Sequence, residues 1–328
     1  MRIGVFCSGG DAPGMNACVR AVVRTAQAGS HDVIGIRRGY QGLLEEDFHT
    51  GPAGNLSMTQ RCVSGWGRHG GAFLRSSRSE EFRSPAGQRR AIDVLVRHNI
   101  DALIPIGGDG TFRGATDLVT QWDGKVIGCP GTIDNDLVGT DFTIGFSTAV
   151  QTAVEAVDKI RDTAESHERM FLIEVMGRHS GYIALFTAVA AGAELVCVPE
   201  TAGNIDVLVN QLKVMKNRQK GSILLVVAEG DEGGGAVGLQ QQLESAGCPF
   251  SMRTVILGHL QRAGTPSAED RILASQLGHW AVMSLEEGHT GAMVGSIGGE
   301  RVLTPFAQTS GKKTLPASLM QLIGVMAH

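Results

Sequence analysis

"RIGVFCSGGDAPGMNACVRAVVRTAQAG" (2–29) is the stretch on which the fold turns. A short apolar run, "RIGVF", enters the glycine-rich "SGGD". A segment with apolar residues at helical spacing, "NACVRAVVRTAQAG", follows. Strand, glycine loop and helix in that order make half of a βαβ unit, and "DVIGI" (32–36) supplies the next strand. Glycines after a strand let backbone N–H groups approach an anion, and the helix start adds its dipole. The loop lacks both the G-K-[ST] of a Walker A loop and the spacing of G-x-G-x-x-G. By itself it also reads as an ordinary turn.

The same alternation continues along the chain. "GQRRAIDVLVRHN" reads as a helix, and "IDALIPI" as a strand ending in "GGDGT" (107–111). "KVIGC" reads as a strand ending in "PGTIDNDLVGTD" (130–141). "TAVQTAVEAVDKIRDTAE" is a long amphipathic segment, and "MFLIEVM", "ELVCVPE", "SILLVVAEG" and "TVILGHL" are apolar runs with helical patterns between the earlier ones. Short continuous apolar runs separated by helices predict parallel strands covered on both faces. The expected fold class is α/β, with two Rossmann-like three-layer αβα domains, mostly parallel sheets and the active site in the cleft between them. In such sheets ligands bind beyond the carboxyl ends of strands, where each of these polar loops falls. Between Gly39 and Pro85 the sequence is polar and glycine-rich, and no element is predicted there.

The chain has 328 residues, enough for two domains, and 45 of them are glycine. Its net charge of −4 gives no general attraction to nucleic acid or to an acidic membrane, so an anionic ligand must be held by local arginines. The six scattered cysteines, with no C-x-x-C spacing, are read as reduced and mostly buried thiols of a cytoplasmic protein. The start has no signal-peptide pattern. "GYIALFTAVAAGAELVCV" (181–198) approaches membrane-span length, but Glu194 and its β-rich second part predict a buried helix followed by a strand.

Asp134 and Asp136 flank one asparagine at the end of a buried strand. They are either a solvated turn or a pair of acids brought to a reaction. Asp109, between glycines, is either a self-bonded turn residue or a partner of Mg²⁺ on nucleotide phosphates.

"SGGDAPGMN", "GGDGT", "PGTIDND", "EVMGR" and "LGHLQRAG" occur in this order. Together they make the chain resemble the bacterial-type ATP-dependent 6-phosphofructokinases, from Ile3 to about Leu273 and more weakly beyond. The resemblance implies Mg²⁺-dependent transfer of a phosphoryl group from ATP to the 1-hydroxyl of fructose 6-phosphate, giving fructose 1,6-bisphosphate and ADP in glycolysis. It also implies a cytoplasmic homotetramer whose sites are shared between subunits. The larger, nucleotide-binding domain is expected over 1–145 plus about 255–310. The smaller, fructose 6-phosphate-binding domain is expected over 146–254 plus about 311–328.

By the same resemblance Asp134 is the general base, Thr132 and Asp136 help arrange the reacting groups, and Arg178 and Arg78 complete the catalytic set. Gly9, Gly10, Tyr40, Arg78, Gly108, Asp109, Gly110 and Thr111 match the nucleotide site, with Asp109 as the metal-associated carboxylate. Thr132, Asp134, Asp136, Arg169, Met176, Gly177, Arg178, Glu229, Arg253, His259 and Arg262 match the sugar-phosphate site. Arg169 and Arg253 match arginines that reach into a neighbouring subunit. Arg20, Arg24, Arg161, Glu194, Arg218 and Lys220 match most of an effector site for ADP or phosphoenolpyruvate. Taken singly, Arg169 or Arg253 also reads as a solvated or salt-bridged surface residue, Arg20 and Arg24 as a solvated basic face, His259 as a satisfied interior histidine, and Glu229 as a cap on the "GDEGGG" turn.

Pyrophosphate users of this family resemble "GGDD" and "PKTIDND". Here Gly110 and Gly131 stand at those positions, which leaves room for an α-phosphate and predicts ATP, with pyrophosphate as the other donor. Rival readings are an NAD or lipid kinase, suggested by "GGDGT", and a catalytically silent sensor of nucleotide or sugar phosphate. The C-terminal "SGKKTLPASLMQLIGVMAH" reads as a loop and an amphipathic helix.

Overall fold

The computed structural model describes residues 1–51, 54–201, 203–230, 234–311 and 313–326. Part of the "GDEGGG" turn and the last two residues therefore lie outside the described residues. The chain divides into two units. The first holds Met1–Ile133, Leu137–Ser147 and Arg262–Lys313, and the second holds Asp134–Asp136, Thr148–Gln261 and Thr314–His328.

In the first unit the opening stretch forms β1 (Arg2–Ser8) and α1 (Met15–Ala28). α1 buries Met15, Cys18, Val19, Val22 and Val23 and turns Arg24 to solvent, which follows from its spacing of apolar residues. Then come β2 (Asp32–Gly35), α2 (Gly39–Leu44), α3 (Pro85–Arg97), β3 (Ala102–Gly107), α4 (Asp109–Val119) and β4 (Lys125–Pro130). α3 begins as its sequence directs: Ser84 Oγ accepts the Gly87 N–H, and Pro85 occupies the first turn. β1 pairs in parallel with β2 and β3, and β3 with β4. β3 is buried along its whole length. Each of its buried aliphatic side chains contributes about 1.5–3 kcal/mol over exposure.

The short α2 lies in the stretch where no element was predicted. It carries Tyr40 and Leu43 into the core, held by tertiary packing rather than by length.

The second unit contains most of α5 (Phe146–His167), then β5 (Met170–Val175), α6 (Tyr182–Ala191), β6 (Leu195–Cys197), α7 (Ile205–Asn217), β7 (Ile223–Ala228), α8 (Gly235–Ser245) and β8 (Met252–Ile256). Its four strands run in parallel in the order β6-β7-β5-β8. The apolar stretch at 181–198 is α6 followed by β6, as its sequence predicts. Among the described residues no helix is long and apolar enough to cross a membrane.

The chain returns to the first unit with α9 (Ala268–Glu286), whose Ser267 cap accepts the Asp270 N–H, and with β9 (Ala292–Ile297), β10 (Glu300–Pro305) and α10 (Phe306–Thr309). The sheet order is β10-β9-β4-β3-β1-β2, and only β10 is antiparallel. The β9–β10 hairpin was absent from the sequence reading. Its signal is the Gly298-Gly299 pair between two apolar runs. Both residues have positive φ (59° and 86°), as a two-residue primed turn requires. α11 (Ala317–Met326) ends the described chain in the second unit.

Two boundaries differ from the expected domains. Asp134–Asp136 belong to the second unit although their flanks belong to the first. The return to the first unit comes after Gln261 rather than near 255, because β8 pairs with β5 and keeps the chain on the second sheet.

Candidate active site

In the first unit the carboxyl ends of β1, β3 and β4 bring three loops together. Thr111 Oγ1 donates to Ser8 O at 3.1 Å, joining the start of α4 to the end of β1. A Cβ at Gly107 would fall on Thr111 Oγ1 and Ser8 O, so glycine is what lets these strand ends close. Gly9 is bound on both sides to the 76–77 segment: its N–H donates to Ser77 O at 3.2 Å, and its carbonyl accepts Ser76 Oγ at 2.8 Å. Arg78 follows directly, exposed and with no ion pair among the described residues. Asn16 is almost fully buried; its amide donates to the His69 and Gly70 carbonyls and accepts the Phe73 N–H at 2.6 Å. That one side chain fixes the irregular 69–73 segment to α1.

Asp109 is not in the loop itself but in the first turn of α4, where a carboxylate meets the helix dipole favourably. Arg113, one turn on, binds it at 2.7 Å (Nη2–Oδ2) and 3.3 Å (Nε–Oδ1). Thr132 lies beside Gly108, at 3.5 Å from where a Cβ there would sit, and its carbonyl accepts Thr143 Oγ1 at 2.6 Å.

Gly110 and Gly131 differ from each other. A side chain at Gly110 would meet no atom within 4 Å, so that position is open. A Cβ at Gly131 would sit 2.9 Å from Met15 Cε, 3.0 Å from Ile106 Cγ2 and 3.3 Å from Gly107 N. The room expected at both positions exists only at Gly110.

Two of the expected contact residues have partners within the first unit. Tyr40 is 5% exposed, stacks on Phe82 at 4.0 Å and donates its hydroxyl to Thr111 O at 2.8 Å. Burial, with Asp117 adding to it, pushes the phenol far above its ordinary pKa, so the donor proton stays. Tyr40 thus supports the start of α4 from inside the core. Arg262, expected with the sugar-phosphate residues, belongs to the first unit, and its Nη1 donates to Asp11 O at 3.0 Å.

In the second unit the turn after β5 carries Met176, Gly177 and Arg178. Met176 N donates to Gln261 Oε1 (3.3 Å), and Arg178 N to Glu229 Oε1 (2.9 Å). Arg178 takes a left-handed φ of 53°, uncommon for a residue other than glycine, and its side chain is exposed. Gln261 is fully buried and joins this turn to the 258–262 turn that bears the exposed His259. Its role was not foreseen; its signal was a polar residue inside "GHLQR". Asp134 is 5% exposed, Asp136 is half-buried, and the Asn135 between them is fully buried with φ 50°, a conformation asparagine tolerates. Ser180 Oγ donates to Asp134 O at 2.8 Å.

Arg169 and Arg253 are not part of this group. Arg169 directly precedes β5, and Arg253 pairs with Phe171 near its start, whereas Met176–Arg178 follow its end. The strand is 6 residues long. At about 3.3 Å per residue the two groups lie at opposite ends of one sheet.

Of the expected effector residues, Arg161, Glu194 and Lys220 come together. Glu194 is buried, bound by Lys220 Nζ at 3.1 Å and near Arg161 Nη1 at 3.9 Å, and its Oε2 accepts the Leu224 N–H. Arg218 is exposed two residues before Lys220. Arg20 lines a cavity of ≈ 360 Å³ in the first unit together with Arg68, Arg271, Ser64 and Ser275; Arg24 is one turn along the same helix. Arg68 and Arg271 were not singled out in the sequence, because their approach to Arg20 is made by packing. The six cysteines are free, and Cys7, Cys18 and Cys129 are buried; the other three are half-exposed, against the expectation of mostly buried thiols.

Fold and strand-end loops together define a Rossmann-like α/β protein of two units. The chain belongs to the phosphofructokinase family, whose pattern, described as Phosphofructokinase, matches residues 2–285. It is 49% identical over 327 residues to the ATP-dependent 6-phosphofructokinase 1 of Thermus thermophilus, covering 99% of both chains. To the ATP-dependent 6-phosphofructokinase of Cytophaga hutchinsonii it is 46% identical over 312 residues, covering 95% of this chain and 93% of the relative. Among solved structures, phosphofructokinase from Saccharomyces cerevisiae matches 99% of this chain with a TM-score of 0.82 and 34% identity. The chain spans 45% of the length of that yeast protein.

Proposed function

We propose that the chain is a cytoplasmic, ATP-dependent 6-phosphofructokinase of glycolysis, transferring the terminal phosphoryl group of ATP to the 1-hydroxyl of fructose 6-phosphate. The single observation that carries this reading is the Asp134–Asp136 corner, where a nearly buried acid follows the strand-end loop whose Thr132 packs on Gly108. Asp134 accepts the proton of the sugar hydroxyl as it attacks, which makes an otherwise weak nucleophile competent. Asp136 and Thr132 orient the reacting groups. Gly10, Gly108 and Gly110 receive the nucleotide phosphates with backbone N–H groups, the latter two at the start of α4, while Gly9 and Thr111, whose N–H groups donate to Ser77 O and Gly108 O, shape the loops around them. Arg78 and Arg178 offset charge as it develops. Met176, Gly177, Glu229 and His259 hold the sugar phosphate.

Among the described residues no three of His, Cys, Asp or Glu stand together as a metal cage. Mg²⁺ needs none, since one or two carboxylates plus substrate phosphates satisfy it, and Asp109 beside the open Gly110 fits that donor set. When bound, Mg²⁺ neutralises phosphate charge; Asp109 is the carboxylate that would hold it.

Arg169 and Arg253, at the far end of the second sheet, support a homotetramer in which each reaches a neighbour's sugar phosphate. The basic group around Arg20 in the first unit and, separately, the one around Glu194 in the second support allosteric control by ADP or phosphoenolpyruvate; Arg24 is one turn from Arg20, and Arg218 two residues from Lys220. The expected domain roles follow: nucleotide on the first unit, fructose 6-phosphate on the second.

The test is initial rate with fructose 6-phosphate and Mg²⁺, comparing ATP with pyrophosphate. Turnover with ATP is expected. Turnover with pyrophosphate alone overturns the donor, and binding of both substrates without product overturns the enzyme in favour of a sensor.

A further inference from the structure

The geometry points to Ser180 as a positioning residue for the base Asp134. The inference rests on the proposed role of Asp134 and goes beyond it. Ser180 is 6% exposed and follows the Met176–Arg178 turn, and its N–H donates to Gly177 O at 2.9 Å, closing that turn. Its hydroxyl donates to the backbone carbonyl of Asp134 at 2.8 Å and stands 3.5 Å from the Tyr182 N–H. Residues 134–136 are the three-residue piece of their loop that belongs to the second unit. Their middle residue, Asn135, is held left-handed at φ 50° with no exposed surface. A corner of that shape keeps its direction only while the surrounding structure over-determines it. The Ser180 hydroxyl is a direct side-chain tie from the sugar-phosphate turn to the residue that carries the base. It sets where the Asp134 carboxylate starts.

The consequence is specific to turnover. A base shifted by a fraction of an ångström loses reach to the hydroxyl, while fructose 6-phosphate still finds Arg178, Glu229 and His259. Ser180→Ala is expected to lower kcat roughly 3- to 10-fold, the worth of one neutral hydrogen bond, and to leave the half-saturating fructose 6-phosphate within about 2-fold. Ser180→Thr keeps the hydroxyl and should recover at least about half of the lost rate.

A merely structural role is separated by a double-mutant cycle with Asp134→Asn. If Ser180 acts through Asp134, adding Ser180→Ala to Asp134→Asn changes kcat by less than about 2-fold. A full multiplication of the two losses overturns the inference. So does an unchanged kcat in Ser180→Ala beside a crippled Asp134→Asn, an outcome that leaves the base reading intact. Near-normal turnover in Asp134→Asn alone removes the base reading first, and this inference with it. Thermal unfolding of each variant accompanies the kinetics; if Ser180→Ala does not fold, Ser180→Cys, with similar volume and a weak donor, takes its place in the cycle under the same criteria.

Discussion

Arg113 closes on Asp109 across one turn of α4, Nη2 to Oδ2 at 2.7 Å, with the arginine 72% and the aspartate 31% exposed at the side chain. An exposed pair of this kind contributes only about 0.3–0.5 kcal/mol. On the proposed role of Asp109 in holding Mg²⁺, ion and guanidinium would compete for this carboxylate. Arg113→Ala is expected to lower the half-saturating Mg²⁺ about 2-fold with little change in melting temperature. An unchanged Mg²⁺ requirement would remove Asp109 from the metal site.

Gly110 and Gly131 give opposite outcomes on substitution. Gly110→Asp places a carboxylate in open space, so the fold should keep its melting temperature while turnover with ATP falls by about 10-fold or more through repulsion of nucleotide phosphate. Gly131→Lys forces atoms against Met15 and Ile106 and should cost about 1–3 kcal/mol of stability. Denaturant unfolding alongside the ATP assay separates the two, and a stable Gly131→Lys would overturn the packing argument.

The proposed sharing of sites between subunits has a direct readout. Arg169→Ala and Asp134→Asn should each be poorly active alone, the first through a raised fructose 6-phosphate requirement and the second through turnover lowered by roughly 10²–10⁴. Co-folded hybrids regain sites in which both residues are native, so activity should rise above the sum of the parents. Strictly additive activity in verified hybrids would place Arg169 outside the neighbour's site.

Tyr40→Phe removes the hydroxyl that holds Thr111 O. The expected loss is about 1 kcal/mol of stability with a small rise in half-saturating ATP. A rise of 10-fold or more without loss of stability would make Tyr40 a direct nucleotide contact instead.

Most of the strands and helices were legible because a buried parallel strand must be a short apolar run and a packed helix must repeat every 3.6 residues. α2 escaped because six residues carry too little periodicity to register, and the β9–β10 hairpin because its Gly298-Gly299 turn was not weighed against the flanking runs.

The candidate site divided along the same line. The places of Asp109, Asp134 and Met176–Arg178 after strand ends were readable from the apolar runs they follow. The partners that fix them were not: Ser180 for Asp134, Arg113 for Asp109, Gln261 for Met176.

By itself the sequence determined the α/β alternation, the glycine loops at strand ends and the order of motifs that marks the family, all carried by local spacing. Tertiary structure decided which side chains those loops meet. It closed Gly131 while leaving Gly110 open, turned Tyr40 inward, laid Arg262 against Asp11 and set Arg169 and Arg253 at the opposite end of the sheet from Arg178. The contacts of Gly131, Tyr40 and Arg262 join residues far apart in the chain, and they exist only once the first sheet has brought its own strand ends together.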